Sequence, residues 1–270
     1  MTENKTTSFE PAGSRLARLL FIGALLILVG TPLFALEGRE IARRVYDRDT
    51  GDTTHSLVQM VLRESGGDTS TRTVENWIRE SADGTSSSVI VFHEPASVKN
   101  TRFLTIENKD RDDDQWIYLP GLGRVRRIAA SEGNSSFMGT DFTYDDMQSR
   151  EVDEDIHKLL KEEQAQGYDC YVVESIPKES SPQYSKRIQW VAKENWIPVK
   201  VELYDSDGAL HKVLTIGRIE KVQGFWTAID TTMTNIRTDH STDLNIKKLV
   251  YNEKVPEGLF TVNFLRTGRP

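Results

Sequence analysis

A mainly β chain of the α+β class, built on one large, strongly curved antiparallel sheet, is the fold this sequence predicts, and three observations predict it. Apolar residues recur with period two along most of residues 55–251, the runs are joined by short turn-forming stretches, and helical spacing is confined to two segments. Short connections imply antiparallel pairing, because a parallel crossover needs a dozen or more residues, and no strand–helix–strand rhythm is present.

Taken in chain order, the first element is an export signal. Arg15 and Arg18 precede the apolar run Leu19–Val29, followed by Gly30-Thr31-Pro32 and the small Ala35, the charge, core and cleavage order of a secretory signal peptide. Cleavage is expected after Ala35; the run is shorter than the roughly 20 residues a membrane-spanning helix needs, an uncleaved anchor from Leu16 being the alternative. No cysteine lies near the cut, so the lipid-anchoring pattern is missing and the mature chain, residues 36–270, is expected to be a periplasmic, soluble single domain and a monomer.

Ile41, Ala42 and Val45 then predict a short helix ending before Asp49-Thr50-Gly51-Asp52. Candidate strands follow at 55–65, 71–80, 88–94, 101–107, 115–119, 124–130, 168–176, 185–193, 197–205, 210–222, 225–237 and 240–251, punctuated by turns such as Ser65-Gly66-Gly67-Asp68 and Ala82-Asp83-Gly84. Asp205-Ser206-Asp207-Gly208 marks the clearest hairpin, after Val199, Val201 and Leu203 alternate with Lys200 and Glu202. Between the sixth and seventh of these runs, Val152, Ile156, Leu159 and Leu160 fall at i, i+4, i+7 and i+8, which predicts an amphipathic helix ending near Gly167. Several strands are apolar on both faces: Trp116 and Tyr118 oppose Ile117 and Leu119, and Val58, Met60 and Leu62 oppose Leu57 and Val61. An antiparallel sheet normally leaves one face wet, so this pattern requires a second layer or a ligand. Two helices across so large a sheet leave a concave apolar space suited to a small or fatty molecule, the alternative being a filled barrel or sandwich.

The formal net charge is −7, and removing Lys5, Arg15 and Arg18 with Glu3 and Glu10 makes it −8. That balance argues against nucleic acid and against a broad anionic membrane surface as partner. Cys170 is the sole cysteine, so no disulfide framework holds the domain; with no adjacent histidine or basic neighbour it reads as a small buried apolar side chain.

The most unusual stretch runs for 32 residues, from Trp116-Ile117-Tyr118-Leu119-Pro120-Gly121-Leu122-Gly123-Arg124-Val125-Arg126-Arg127-Ile128 to Ser136-Phe137-Met138-Gly139-Thr140-Asp141-Phe142-Thr143-Tyr144-Asp145-Asp146-Met147. Its W-x-Y-L-P…R-x-R-R-I…F-x-G-T-D-F-x-Y-D-D pattern resembles the outer-membrane lipoprotein-sorting family, whose members look like the lipoprotein carriers LolA and LolB. Trp190, Trp196-Ile197-Pro198, Gly224-Phe225-Trp226 and Pro256-Glu257-Gly258-Leu259-Phe260 agree with that layout through weaker signals. The resemblance implies an unclosed half-barrel of about eleven antiparallel strands with helices covering its concave face. It also implies a role in moving lipoproteins or lipids across the periplasm, and cooperation with an inner-membrane exporter of the resistance-nodulation-division (RND) type. The arginine with which those carriers latch their lid has no residue-by-residue counterpart here.

A carrier has to shield acyl chains, and each buried methylene contributes roughly 0.8 kcal/mol without any directional contact. The candidate ligand wall is Trp116, Tyr118, Leu119, Phe137, Met138, Phe142 and Tyr144, with plain core as the alternative. Release calls for a lid whose closure is marginal. A charged latch of Arg124, Arg126 or Arg127 with Asp141, Asp145 or Asp146 is the expectation, against ordinary surface pairs worth little.

Enzyme and metal readings find little support: the five histidines are scattered, with no H-E-x-x-H, G-x-S-x-G or Walker pattern. Asp141, Asp145 and Asp146 with His157 can be drawn as a metal or acid/base set, but neither a metal nor a cofactor is expected. Asp47-Arg48-Asp49-Thr50-Gly51-Asp52 has the outline of a calcium loop without its terminal glutamate and reads as a helix-ending turn; Lys109-Asp110-Arg111-Asp112-Asp113-Asp114 reads as a solvated hairpin tip. Three functions follow in order of support: a carrier for a lipid or acylated lipoprotein, a non-carrier adaptor of an exporter, and a metal- or acid/base-dependent hydrolase.

Overall fold

The computed structural model describes residues 36–109, 111–179 and 183–270, with Met1 and Thr2; the rest of the expected signal segment lies outside the described residues. Residues 36–270 form one compact unit. Helix α1 (Gly38–Tyr46) leads into thirteen strands: β1 (Thr53–Arg63), β2 (Thr69–Glu80), β3 (Ser86–Glu94), β4 (Arg102–Ile106), β5 (Asp114–Leu119), β6 (Arg124–Arg127), β7 (Asp155–Ala165), β8 (Tyr168–Pro177), β9 (Lys186–Ala192), β10 (Pro198–Tyr204), β11 (Leu210–Val222), β12 (Phe225–Asn235) and β13 (His240–Tyr251). A last helix, α2 (Val262–Thr267), follows.

All thirteen belong to one antiparallel sheet of order β6-β5-β4-β3-β2-β1-β13-β12-β11-β10-β9-β8-β7. Two meanders therefore meet where β1 pairs with β13, and β6 and β7, neighbours in sequence, occupy opposite edges. The sheet is unclosed, and the connection between its edge strands, residues 128–154, has to cross its width.

The sheet has thirteen strands, and all twelve runs anticipated from the sequence are among them. The thirteenth, β7, corrects the amphipathic helix expected around Val152–Leu160. Its backbone pairs with β8 from Asp155↔Pro177 to Ala165↔Tyr168, with a bulge between Leu159 and Lys161. Asp155, His157 and Leu159 alternate inward, while Ile156 and Leu160, which completed the helical spacing, are exposed on the other face. The lysines and glutamates of β7 suit an edge strand, since charge there discourages pairing with another chain.

Register assigns each residue to a face. Val58↔Val74↔Phe92 and Ile90↔Phe103↔Ile117 share the inner, concave face with Leu244, Met233, Leu214 and Val201. α1 covers the β8–β9 end of this face through Ile41, packed on Val173 and Val191. A Cβ on Gly38 would stand 2.6 Å from the Leu159 backbone nitrogen, so only glycine lets the helix land on β7. On the outer face, Val89, Val91 and Leu104 meet Leu259, Phe260, Phe264 and Leu265 of the C-terminal segment. Thr261 Oγ1 caps α2 by accepting the Phe264 N–H at 3.1 Å, and Arg102 donates to the Leu265 carbonyl at 2.7 Å. His55 clips this segment to the sheet: its ring nitrogens lie 2.7 Å from Glu253 and from Glu75, and it stacks on Trp77 at 4.7 Å. The two-sided apolarity expected of β5 is thus met by two layers, whereas on β1 the outward Leu57 and Val61 are half-buried and belong to neither cluster.

Candidate functional site: the strapped inner face

Residues 128–154 form a strap across the inner face, turned by short 3-10 segments at Ala130–Glu132, Asp145–Met147 and Val152–Glu154. Its middle is a tight loop. The Phe137 N–H donates to the Phe142 carbonyl at 2.8 Å, and Thr140 Oγ1 donates to the Phe137 carbonyl at 2.7 Å. The turn between them uses positive φ at Met138 (54°) and Gly139 (77°). This geometry drives Phe137 and Tyr144 into the cluster of Val58, Val74, Phe92, Phe103 and Ile117, and Phe142 into that of Tyr184, Leu203 and Met233. Ring centroids lie 4.9 Å apart for Phe103–Phe137 and 5.8 Å for Phe137–Tyr144, within the range where aromatic pairs add to area burial.

The strap is fastened by polar groups from the strands beneath it. Arg72 donates to the Met138 carbonyl at 2.6 Å and Gln115 Nε2 to the Tyr144 carbonyl at 2.9 Å. Asp141 is the central anchor: its N–H donates to Thr242 Oγ1, its Oδ2 accepts from Thr242 and lies 2.7 Å from His240 Nδ1, and its carbonyl accepts from Lys212 Nζ at 2.6 Å. Lys212 also stands 3.7 Å from Asp146, whose Oδ2 accepts from Tyr184 at 3.3 Å. Burial lowers the Lys212 pKa; burial, and then the Asp146 carboxylate, push the Tyr184 hydroxyl far above its ordinary value. At the far end, Arg150 and Arg187 both hold Asp155.

The sequence-derived candidates separate on this frame. Leu119, Phe137, Met138, Phe142 and Tyr144 gather on the inner face, whereas Trp116 and Tyr118 point outward to the C-terminal segment. The arginines and aspartates named as a latch do not meet. Arg126 pairs with Glu132 at 2.8 Å, Arg127 with Asp114, and Arg124 is exposed. Hydrogen bonds from Arg111 first, then Asn108 and Arg127, hold Asp114 down to about 2 against the opposing effect of burial. Asp145 accepts from Gln148, and burial raises its pKa. His157 is spent on Ser175 and the Val152 carbonyl, far in role from the aspartates it was drawn with. Among the described residues no group of three or more His, Cys, Asp or Glu side chains is placed to hold a metal ion.

Lys212, His240, Thr242, Arg72 and Tyr184 were missed by sequence reasoning. One signal was available: Lys212 shares its register face with Leu214 and Ile216, and a lysine at an inward position demands a partner.

A second feature opens where α1 ends. A cavity of about 500 Å³ lies between α1 with its following turn, the β9–β10 turn and the β11–β12 turn. Four carboxylates (Glu40, Asp47, Asp49 and Glu194) and three arginines (Arg43, Arg44 and Arg48) line it together with Asn195, Trp196, Gly224, Phe225 and Trp226. By alternation with Thr227, Ile229, Thr231 and Met233, Phe225 belongs to the inner face, so the cavity stands at one end of the hollow.

A family model described as that of an uncharacterized protein matches residues 84–267. Among solved structures the chain is similar to a domain described as an outer membrane lipoprotein-sorting protein from Vibrio parahaemolyticus, 34% identical with TM-score 0.80, covering 85% of this chain and 98% of that one. It is similar also to a DUF1329 family protein from Desulfovibrio piger, 32% identical with TM-score 0.80, covering 84% and 97%. A LolA superfamily protein from Nitrosomonas europaea, 19% identical with TM-score 0.65 and covering 85% and 100%, shares the fold. No curated protein matches the chain. With this identity over nearly the whole of its relatives, and an unclosed antiparallel sheet covered on its concave face, the chain belongs to the outer-membrane lipoprotein-sorting family of LolA-like fold.

Proposed function

We propose that the chain is an exported, non-catalytic periplasmic carrier whose inner face takes the acyl chain of a lipid or lipoprotein in place of the strap. The observation that carries this reading is the filling of the hollow. Phe137, Phe142 and Tyr144 occupy apolar surface from a segment without regular strands or long helices, tied down at a few polar anchors. An incoming chain replaces those rings with methylenes worth roughly 0.8 kcal/mol each, so exchange is close to balanced and reversible. The name of the Vibrio relative supports lipoprotein sorting as the task, and on that reading an RND-type exporter is the expected inner-membrane partner.

The test is extraction of the protein, purified without detergent, with organic solvent and identification of bound lipid by mass spectrometry, a refolded sample serving as the empty control. A stoichiometric phospholipid or acylated peptide is expected. No lipid, and no uptake of a fluorescent fatty probe by the refolded sample, sinks the carrier reading. The filled inner face supports one second reading, an adaptor with a permanent core, and that result would favour it.

A further inference from the structure

The strap carries its own anion into the inner face. Asp141, 6% exposed, is gripped by three side chains of the sheet beneath it. Its Oδ2 accepts from Thr242 Oγ1 at 2.7 Å and lies 2.7 Å from His240 Nδ1, and its carbonyl accepts from Lys212 Nζ at 2.6 Å. His240 and Thr242 belong to β13 and Lys212 to β11, so all three stay with the sheet, whereas Asp141 sits on the segment that the carrier reading requires to move. Thr242 is 0% and Lys212 5% exposed, so neither reaches water in place of the strap.

The other charges around these three are few. Asp146, also on the strap, lies 3.7 Å from Lys212 and accepts from Tyr184; Glu64, exposed just past β1, lies 3.7 Å from His240 Nε2. On β2, Arg72 spends a donor on the Met138 carbonyl, three residues before Asp141. When the strap leaves, Asp141, Asp146 and the Met138 carbonyl leave together, and the Lys212 ammonium and the Thr242 hydroxyl are bared to an apolar hollow. A buried charge without a partner is strongly unfavourable. An alkyl chain replaces the rings of the strap but not its oxygens, so the exchange balances only for a ligand that also brings an acceptor. Beside an ammonium, an oxyanion is the strongest one.

We infer that Lys212, His240 and Thr242 form an anion site on the inner face, held in the strapped protein by Asp141 and taken on loading by the carboxylate or phosphate of an amphiphile. The inference rests on the carrier reading and adds the polar end of the ligand. Asp141 is then an internal competitor, and its departure couples release of the strap to arrival of the headgroup.

The experiment is titration calorimetry of the full chain with decanoate, decyl phosphate, decanol and acetate, for wild type, Lys212→Met and Asp141→Asn. Every amphiphile has to displace the same strap, so the ratio of oxyanion to alcohol affinity cancels any loosening of the strap and reads the site alone. Wild type is expected to bind decanoate or decyl phosphate about tenfold or more tightly than decanol, and Lys212→Met to bring that ratio within about threefold of one. Asp141→Asn, which weakens the competitor and leaves the sheet residues in place, is expected to tighten all three amphiphiles and keep the ratio. Thermal melts confirm the fold of each variant, and Thr242→Val reads the same ratio should Lys212→Met not fold. Whichever of decanoate and decyl phosphate binds more tightly names the headgroup. Equal affinity of wild type for oxyanion and alcohol, or a ratio unmoved in Lys212→Met or Thr242→Val, overturns the anion site and leaves the carrier reading standing. Acetate binding as tightly as decanoate makes it a free-anion site and also overturns the inference. No binding of any amphiphile removes the carrier reading and the anion site together.

Discussion

Lys212 enters the core at a position where apolar alternation calls for an aliphatic residue, and its ammonium reaches the Asp141 carbonyl and the Asp146 carboxylate. Replacing it with methionine removes a charge-assisted bond worth about 1.5–3 kcal/mol and leaves the Asp141 carbonyl without its donor. Lys212→Met is expected to lower stability in urea by that order and to speed amide exchange in residues 136–146 more than in the central strands. Phe137, by contrast, is a matter of volume. Phe137→Ala empties the centre of the four-ring cluster with Phe92, Phe103 and Tyr144 and is expected to cost about 3–5 kcal/mol in equilibrium unfolding. His55 adds pH dependence. Burial works against its charge, but Glu253 and Glu75 outweigh it and raise its pKa above the ordinary value. A raised folded-state value gives stability that is fully present below the unfolded pKa and lost as pH climbs through the folded one. Melts of wild type should therefore lose more stability than those of His55→Gln as pH rises above about 6.5, the ordinary imidazole value; parallel curves would remove His55 from the C-terminal clip.

At the scale of elements, the strands of both meanders were legible because period-two patterning survives wherever one face is more buried than the other. β7 was not. Ile156 and Leu160 supplied the helical spacing, yet both are exposed on the outer side of an edge strand, and the bulge at Leu159–Lys161 breaks the alternation that would have revealed it. The strap was legible as composition and opaque as geometry. Phe137, Phe142 and Tyr144 were recognisable as apolar residues that face inward, but the partners of the nearby charges lie on β11 and β13, about seventy to a hundred residues away, where no local pattern points to them. The docking of α1 gives a test at this scale. Alanine is ordinarily a better helix former than glycine, yet Gly38→Ala places a methyl 2.6 Å from the β7 backbone and is expected to destabilise by about 1–3 kcal/mol, read in thermal melts.

Over the whole molecule, topology explains why the site sits where it does. Because β1 and β13 meet at the centre, the two edges of the sheet are consecutive in sequence, and the chain between them has to pass over the inner face. The same segment that closes the topology thereby fills the hollow, and the C-terminal segment closes the other face of β2–β6. On the proposed carrier reading, this arrangement keeps the apolar surface covered when empty and exposes it by exchanging the strap for cargo. The measurement that tests this most directly is hydrogen–deuterium exchange of residues 128–154 with and without a bound long-chain amphiphile. On loading, the amide of Phe137, bonded to Phe142, and those of Asp141 and Tyr144 are expected to lose protection while β1, β12 and β13 keep theirs. Strap amides that stay equally protected with the amphiphile bound would contradict it.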